Sequence, residues 1–530
     1  MNIKSSGIQC VFLFSFMLFA AAEAISDTRS EMLMRYNRNF SAPPFIGDAT
    51  NYTATIDPNT TYGEWEGWGS SLCWWGAAFG DRDDLADLFF TLQTTTTLEG
   101  STLPGLGLTI ARYNAGGSSY IPDSSGEEMV VSKDIIPSRQ MFGFWQDWDS
   151  PDPTSSSWNW TADALQVSML QKVQARGAVH LELFSNSPMW WMCVNHNPSG
   201  NDDGSKDNLE SWNYEQHAVY LATIAARFKE GPFLVNFTSV EAFNEPVSDW
   251  WSSNGTQEGC HFDPTAQAAT IPLLRAQLDA RGLSAVSVAS SDENTYDHSL
   301  STWESFNQGT QGLVGKVNTH GYQQAEGRRD LLYAAVVGKA KLWNSEYGDG
   351  DPTGLSLAAN LNLDFKWLHN TAWVYWQVLD GNGWGLLSAD EDDDAAAQGG
   401  PTVGAANSKF FVLAHYTRHI RPGMTVMSTS GDDTVAAYDS ASQTVAVVSV
   451  VFDKARWVTI DLSGFSKEGG GALEGLPVSR WVTNTGVGSV GGDQYKAYND
   501  VAVGADGSIS VYFEANTLMT FEVTGVIVRS

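Results

Sequence analysis

Ala164–Pro188 reads ALQVSMLQKVQARGAVHLELFSNSP. Leu165, Met169, Leu170 and Val173 fall on one face at helical spacing, Gly177 stops the helix, and Val179–Phe184 form a short apolar strand. The grammar recurs in PLLRAQLDARGLSAVSVASSDEN (Pro272–Asn294), with Gly282 as the stop and Ala285–Ala289 as the strand. It recurs again over Tyr214–Pro246, where Gly231-Pro232 closes the helix. Repetition of helix, glycine and short apolar strand describes a parallel sheet, because each crossover helix covers strands that are buried on both faces.

Working outward, the strand candidates are EWEGWGSSL, GLTIARYN, VHLELFSN, FTSVEAFNE, AVSVASSD, KVNTHGY, KLWNSEYG and AWVYWQVLD. Eight in sequence predict an α/β fold, a (β/α)8 TIM barrel, rather than an open doubly wound sheet. No glycine-rich phosphate loop follows the first strand, which removes the main reason to expect a nucleotide site. The strands end in polar or aromatic residues, among them Asn114, Asn186, Glu245, Asp292, His320, Glu346 and Asp380, at the face where barrel enzymes hold their active sites. After Tyr416 the pattern changes to alternating Val- and Thr-rich stretches broken by Gly, Asp and Asn, the signature of an appended antiparallel β-sandwich domain.

The expected organisation is a signal peptide over 1–24, then an N-terminal segment over 25–60 that contributes a strand to the sandwich. The catalytic barrel follows over 61–416 and the C-terminal β-sandwich over 417–530. The leader rests on Lys4, the apolar run Cys10–Ala22 and the small-x-small site Ala22-Glu23-Ala24, and it is too short to anchor the chain. A secreted, extracellular protein follows, and sequons at Asn39, Asn51, Asn59, Asn159, Asn236 and Asn254 are consistent with that route.

A balance of 30 basic against 61 acidic residues, net −31, argues against nucleic acid and against anionic membrane surfaces. Aromatic residues make up 12% of the chain, with 21 Trp, and tryptophan packs well on the apolar faces of sugar rings. Three cysteines remain after the leader, without the paired short spacing of a zinc site. Cys193 and Cys260 lie in the loops after neighbouring strands, so they are expected to form a disulfide and to leave Cys73 unpaired. The run SADEDDDAAAQGG (Ser388–Gly400) lacks the ligand spacing of a calcium loop and reads as a solvated loop. No metal and no cofactor is expected, and the chain is expected to act as a monomer.

Strands four and seven of such a barrel face one another across its mouth. Glu245 ends the fourth and Glu346 the seventh. Two carboxyls across a cleft suit glycosidic bond cleavage, one protonating the leaving oxygen and the other attacking the anomeric carbon. Asn244 beside the acid is placed to hydrogen-bond a sugar hydroxyl, and Glu241, set further back, to pair with Arg112 inside the mouth.

The ordered series GWGSSLCWWGAAFG, ARYNAGGSS, SNSPMWWM, EAFNEP, NTHGY and WNSEYGD resembles glycoside hydrolase family 30 of clan A, and within it the endo-β-1,6-galactanases. The resemblance spans the barrel and the trailing module. It implies a retaining double displacement with Glu346 as nucleophile and Glu245 as acid/base, acting on β-1,6-galactan side chains of arabinogalactan. By position, Trp68, Arg112, Asn114, His320, Tyr322 and Trp376 are candidate contacts around the cleaved sugar. Trp190, Trp191, Trp250 and Trp251 are candidate stacking platforms, about half of which are expected to touch sugar. Two rival readings remain on the sequence alone. One is another family 30 activity, such as β-1,6-glucanase, β-xylanase or β-glucosidase-type action; the other is a non-catalytic carbohydrate-binding protein.

Overall fold

The computed structural model describes residues 51–93, 96–98, 100–390, 400–485 and 492–529. The leader, the Asn39 sequon and residues 391–399 of the acidic run lie outside them. Eight parallel strands close into a barrel. In chain order they are Gly67–Ser71, Ile110–Asn114, His180–Phe184, Ser239–Glu241, Ser287–Glu293, Val314–His320, Lys341–Tyr347 and Ala372–Tyr375. The last pairs with the first, Trp373 opposite Trp68. All eight expected strands are therefore present, in the expected order.

The helix quoted first spans Ala164–Ala175, and Gly177 follows it with φ +100, a conformation open to glycine at no steric cost. Its buried face differs from the expected one. Leu165 is exposed, and Gln166 and Val167 are buried. The Gln166 amide satisfies the end of the second barrel strand: Asn114 N–H donates to Oε1 at 3.0 Å, and Nε2 donates to Asn114 C=O at 3.1 Å. Asn114 pairs with Phe184 on one side, but pairing with the first strand ends at Arg112, and the amide substitutes on that side, which outweighs the apolar preference of the face.

The second unit is a nine-stranded sheet folded over its own core, in which Ile56, Val447, Ile460 and Phe521 belong to one buried cluster. Asn51–Glu64 supplies one of its strands. It runs antiparallel to Thr425–Thr429 and parallel to Arg456–Asp461, so a segment preceding the barrel is woven into the module that follows it. His415, on the helix Ser408–Thr417, sits 2.8 Å from the hydroxyls of both Thr483 and Thr520 and joins the barrel's last helix to the sheet. No helix among the described residues is long and apolar enough to cross a membrane.

Candidate active site

The fourth strand is short, and the chain leaves it after Glu241. Glu245 then adopts φ +48, an uncommon region for a residue with a Cβ, held by contacts on both sides. Its N–H donates to Asp292 C=O at 2.8 Å, and its C=O accepts the Trp251 indole N–H at 2.9 Å. On the seventh strand the ladder register shifts between Asn344 and Glu346, an irregularity that aims Glu346 into the mouth. A carboxylate oxygen of Glu245, one of Glu346 and a ring nitrogen of His320 lie within 4.8 Å of one another. Both carboxyls are largely buried.

A charged lattice beneath the pair sets its protonation. Arg112 reaches Glu346 Oε2 and Glu182 Oε1 at 3.0 Å each and also contacts Asp292. His320 Nδ1 lies 3.0 Å from Glu245 Oε1 and 3.5 Å from Glu346 Oε1, while Nε2 lies 3.1 Å from Asp292 Oδ1. Burial opposes charge on the imidazole, but Glu346 and Asp292 hold its pKa well above the ordinary value. Burial lifts Glu346 to about 7, with Glu245 and Asp292 adding to the rise and His320 and Arg112 opposing it. Asp292 is held low despite burial, chiefly by Arg112 and His320. The closeness of the two carboxyls is thus part of what raises Glu346. Donors from Arg112 and from Tyr322 O–H, 3.0 Å from Glu346 Oε1, favour the ionised form of Glu346.

Above the pair opens a cavity of about 820 Å³ lined by Asn244, Glu245, Glu346, Tyr322 and five tryptophans: Trp74, Trp250, Trp251, Trp376 and Trp384. Arg139 stacks over Trp74 at 4.5 Å, and Trp376 meets Trp74 edge-on at 5.1 Å. Asn294 Nδ2 donates to Glu245 Oε1 at 2.6 Å.

The chain matches the family model of O-glycosyl hydrolase family 30 over residues 51–314. It is 53% identical over 479 residues to an endo-beta-1,6-galactanase of Hypocrea rufa, covering 90% of this chain and 95% of that one. This chain belongs to glycoside hydrolase family 30. An exo-beta-1,6-galactobiohydrolase of Bifidobacterium longum subsp. longum is 22% identical over 75% of this chain and 34% of that one. Among solved structures, the catalytic domain of GH30 xylanase C from Talaromyces cellulolyticus shares the fold at TM-score 0.63 and 19% identity, over 89% of this chain and 100% of that one. A conserved exported protein from Bacteroides fragilis does so at 0.70 and 16%, with the same coverage.

In this family 30 hydrolase, Glu245, Glu346, Asn244, Tyr322, Trp250, Trp251 and Trp376 all line the cavity. Trp68 and Trp190 do not. Trp68 is buried among Trp65, Phe365, Trp373 and Tyr416, with its indole N–H donating to Ile420 C=O, because its side chain points outward from the barrel wall. Trp190 is buried in the core behind the third-strand loop. Arg112, Asn114 and His320 lie below the cavity floor, where Arg112 and His320 orient the carboxyls. The expected Glu241–Arg112 pair is replaced by Glu182–Arg112. Glu241 is buried, and desolvation together with Asp292 and Glu182 raises its carboxyl well above the usual range, favouring the neutral form.

The expected Cys193–Cys260 disulfide is not formed in the structure: Cys193 and Cys260 are free, buried thiols. Cys193 Sγ faces Met189 C=O at 3.7 Å and Cys260 Sγ faces His261 C=O at 3.5 Å, and Cys193 is near enough to add to the rise that burial gives the Cys260 thiol. Burial pushes Cys193 up to about 12, which removes the thiolate needed for exchange.

Sequence reasoning missed Trp74, Arg139, Asn294 and Trp384 as cavity residues, since all arrive on loops whose path depends on packing. Trp74 alone carried a signal, as half of the Trp74-Trp75 pair after the first strand. Asn254, one of the sequons, is exposed on the cavity rim. Glu245, His320 and Glu346 have the ligand types for a metal, and the two His320 ring nitrogens already face Glu245 at 3.0 Å and Asp292 at 3.1 Å. In the cluster of Asp207, His261 and Asp263, Asp207 Oδ1 already meets His261 Nδ1 at 3.0 Å and accepts Asp263 N–H at 2.6 Å.

Proposed function

We propose that this chain is a secreted, monomeric endo-β-1,6-galactanase that cleaves β-1,6-galactan side chains of arabinogalactan with retention of configuration. The observation that carries the retaining mechanism is the approach of Glu245 and Glu346 to within 4.8 Å, on the fourth and seventh strand ends. Retaining enzymes hold their carboxyls about 5–5.5 Å apart, and inverting ones leave a wider gap for water. Identity of 53% across nearly the whole length of an endo-beta-1,6-galactanase supports the substrate and the endo mode. A cavity larger than one pyranose ring needs, walled by half-exposed Trp250, suits a chain substrate. The apolar N-terminal run suits secretion.

In the first step Glu346 attacks the anomeric carbon, the C1–O bond breaks, and the Glu245 proton passes to the leaving oxygen. In the second, Glu245 takes a proton from water, whose hydroxyl goes to C1 and releases Glu346. The Arg112 and His320 cations hold both carboxyls in place without moving during either step, so the field is already organised when charge develops.

The test is product analysis on a panel of β-1,6- and β-1,3-linked galactans and glucans and on xylan, with the product anomer followed by NMR. Galacto-oligosaccharides released only from β-1,6-galactan, first seen as the β-anomer, are expected. Cleavage of another polymer instead, or inversion, overturns the reading.

A further inference from the structure

A second aromatic cavity, of about 420 Å³, shares no lining residue with the cleft. Its floor is a rigid run of indoles. Trp191 meets Trp145 edge-on at 5.0 Å and donates its N–H to Trp145 C=O at 2.9 Å, and Trp145 stacks on Trp158 at 5.0 Å. Two further tryptophans stand at its edge and are open to solvent, Trp148 at 45% exposure and Trp212 at 69%. Core packing accounts for Trp145 and Trp191. It leaves unexplained why two of the largest apolar side chains remain in water beside them.

Polar groups in the wall narrow the chemistry. Gln216 Oε1 is buried and accepts no hydrogen bond, an acceptor awaiting a donor. Glu210 contributes a carboxylate and His196 an imidazole that faces Glu127 at 3.3 Å, and no Lys or Arg lines the cavity. Flat apolar rings edged by polar groups, without a Lys or Arg, match a neutral, hydroxyl-rich ligand and disfavour an acidic one. The cavity is also tied to the cleft. The third-strand loop that carries Trp191 packs its Gly200 against the backbone of Trp251, and Asn201 bridges Ser252.

We propose that this cavity is a second carbohydrate-binding site. It takes a stretch of neutral pyranosyl chain of the polysaccharide being hydrolysed, stacked on Trp148 and Trp212 with its hydroxyls beside Glu210 and Gln216. The identity of that chain as β-1,6-galactan rests on the function proposed above. The site keeps the polymer attached while the cleft samples successive linkages, so its contribution grows with chain length.

The test uses the full chain carrying Glu346→Gln, with and without Trp148→Ala and Trp212→Ala, retained on immobilised β-1,6-galactan, β-1,6-glucan and xylan. On the polymer that the wild-type chain cleaves, the double tryptophan change is expected to weaken retention about tenfold. In the active chain, with Glu346 intact, the double tryptophan change is expected to raise KM on that polymer while leaving turnover of a short oligosaccharide and the melting temperature unchanged. If the wild type cleaves a polymer other than galactan and retention falls on that one, the function proposed above fails and the second site stands. If retention on the cleaved polymer is unchanged by both substitutions, the second site is overturned.

Discussion

The Trp251 indole N–H donates to the backbone carbonyl of Glu245 at 2.9 Å. A residue expected only to stack sugar thus also holds the acid/base loop in its left-handed conformation. Trp251→Phe keeps the ring and removes this bond, so kcat is expected to fall about fivefold to tenfold with KM little changed. Trp250→Ala, at the half-exposed neighbour, is expected to raise KM instead. Gly259→Ala should reproduce the Trp251 effect, because a Cβ there would lie 1.9 Å from the indole. Steady-state kinetics on all three variants check the division.

Loss of the nucleophile and loss of the acid/base separate by leaving group. Glu346→Gln is expected to lower turnover at least about a thousandfold on every substrate. Glu245→Ala should spare the first step on an aryl glycoside whose leaving group needs no proton, and azide should then restore turnover. A β-glycosyl azide identifies Glu245 as the acid/base; an azide product from the Glu346 variant alone would reverse the roles.

Asp292 supports the imidazolium from below, and Asp292→Asn removes that charge while preserving shape. The His320 pKa, raised by Glu346 and Asp292, then falls, and the imidazolium is lost at lower pH. The alkaline limb of kcat/KM should move to lower pH, and kcat should drop about tenfold or more. An unshifted limb would show that His320 does not control it.

Glu258 is buried, and burial raises it from 4.5 to about 8; Asp163 rises from 3.8 to about 7 for the same reason. Between the lower and upper values the folded chain holds protons that the unfolded chain has released, so stability is present at low pH and declines as pH rises. Melting temperature should fall across this window. Glu258→Gln should flatten the decline by up to about 1.4 kcal/mol per pH unit between pH 4.5 and 8. A slope unchanged by that substitution would remove Glu258 as its source.

The buried Cys193 and Cys260 thiols give a direct chemical check. Alkylation of the native chain is expected to leave them unmodified. Alkylation after denaturation without reductant should label both. Recovery of a Cys193–Cys260 linked peptide would restore the disulfide read from loop positions.

Repeated helix–glycine–strand units were enough to count eight strands, because alternation of buried strand and amphipathic helix is a local property. The same periodicity put Glu245 and Glu346 at strand ends across the mouth, and the change to alternating Val and Thr marked the sandwich. Which side chains meet could not be read that way. Strand parity at Trp68, the loop path that buries Trp190, the orientation of two cysteine thiols and the choice of Glu182 over Glu241 as partner to Arg112 all depend on packing between segments distant in the chain. Trp74, Arg139, Asn294 and Trp384 entered the cleft for the same reason. The sequence by itself determined the barrel and its pair of carboxyls; the tertiary structure alone decided their electrostatic setting and the walls of the cleft, because burial and charge pairing are set by neighbours that no local pattern encodes.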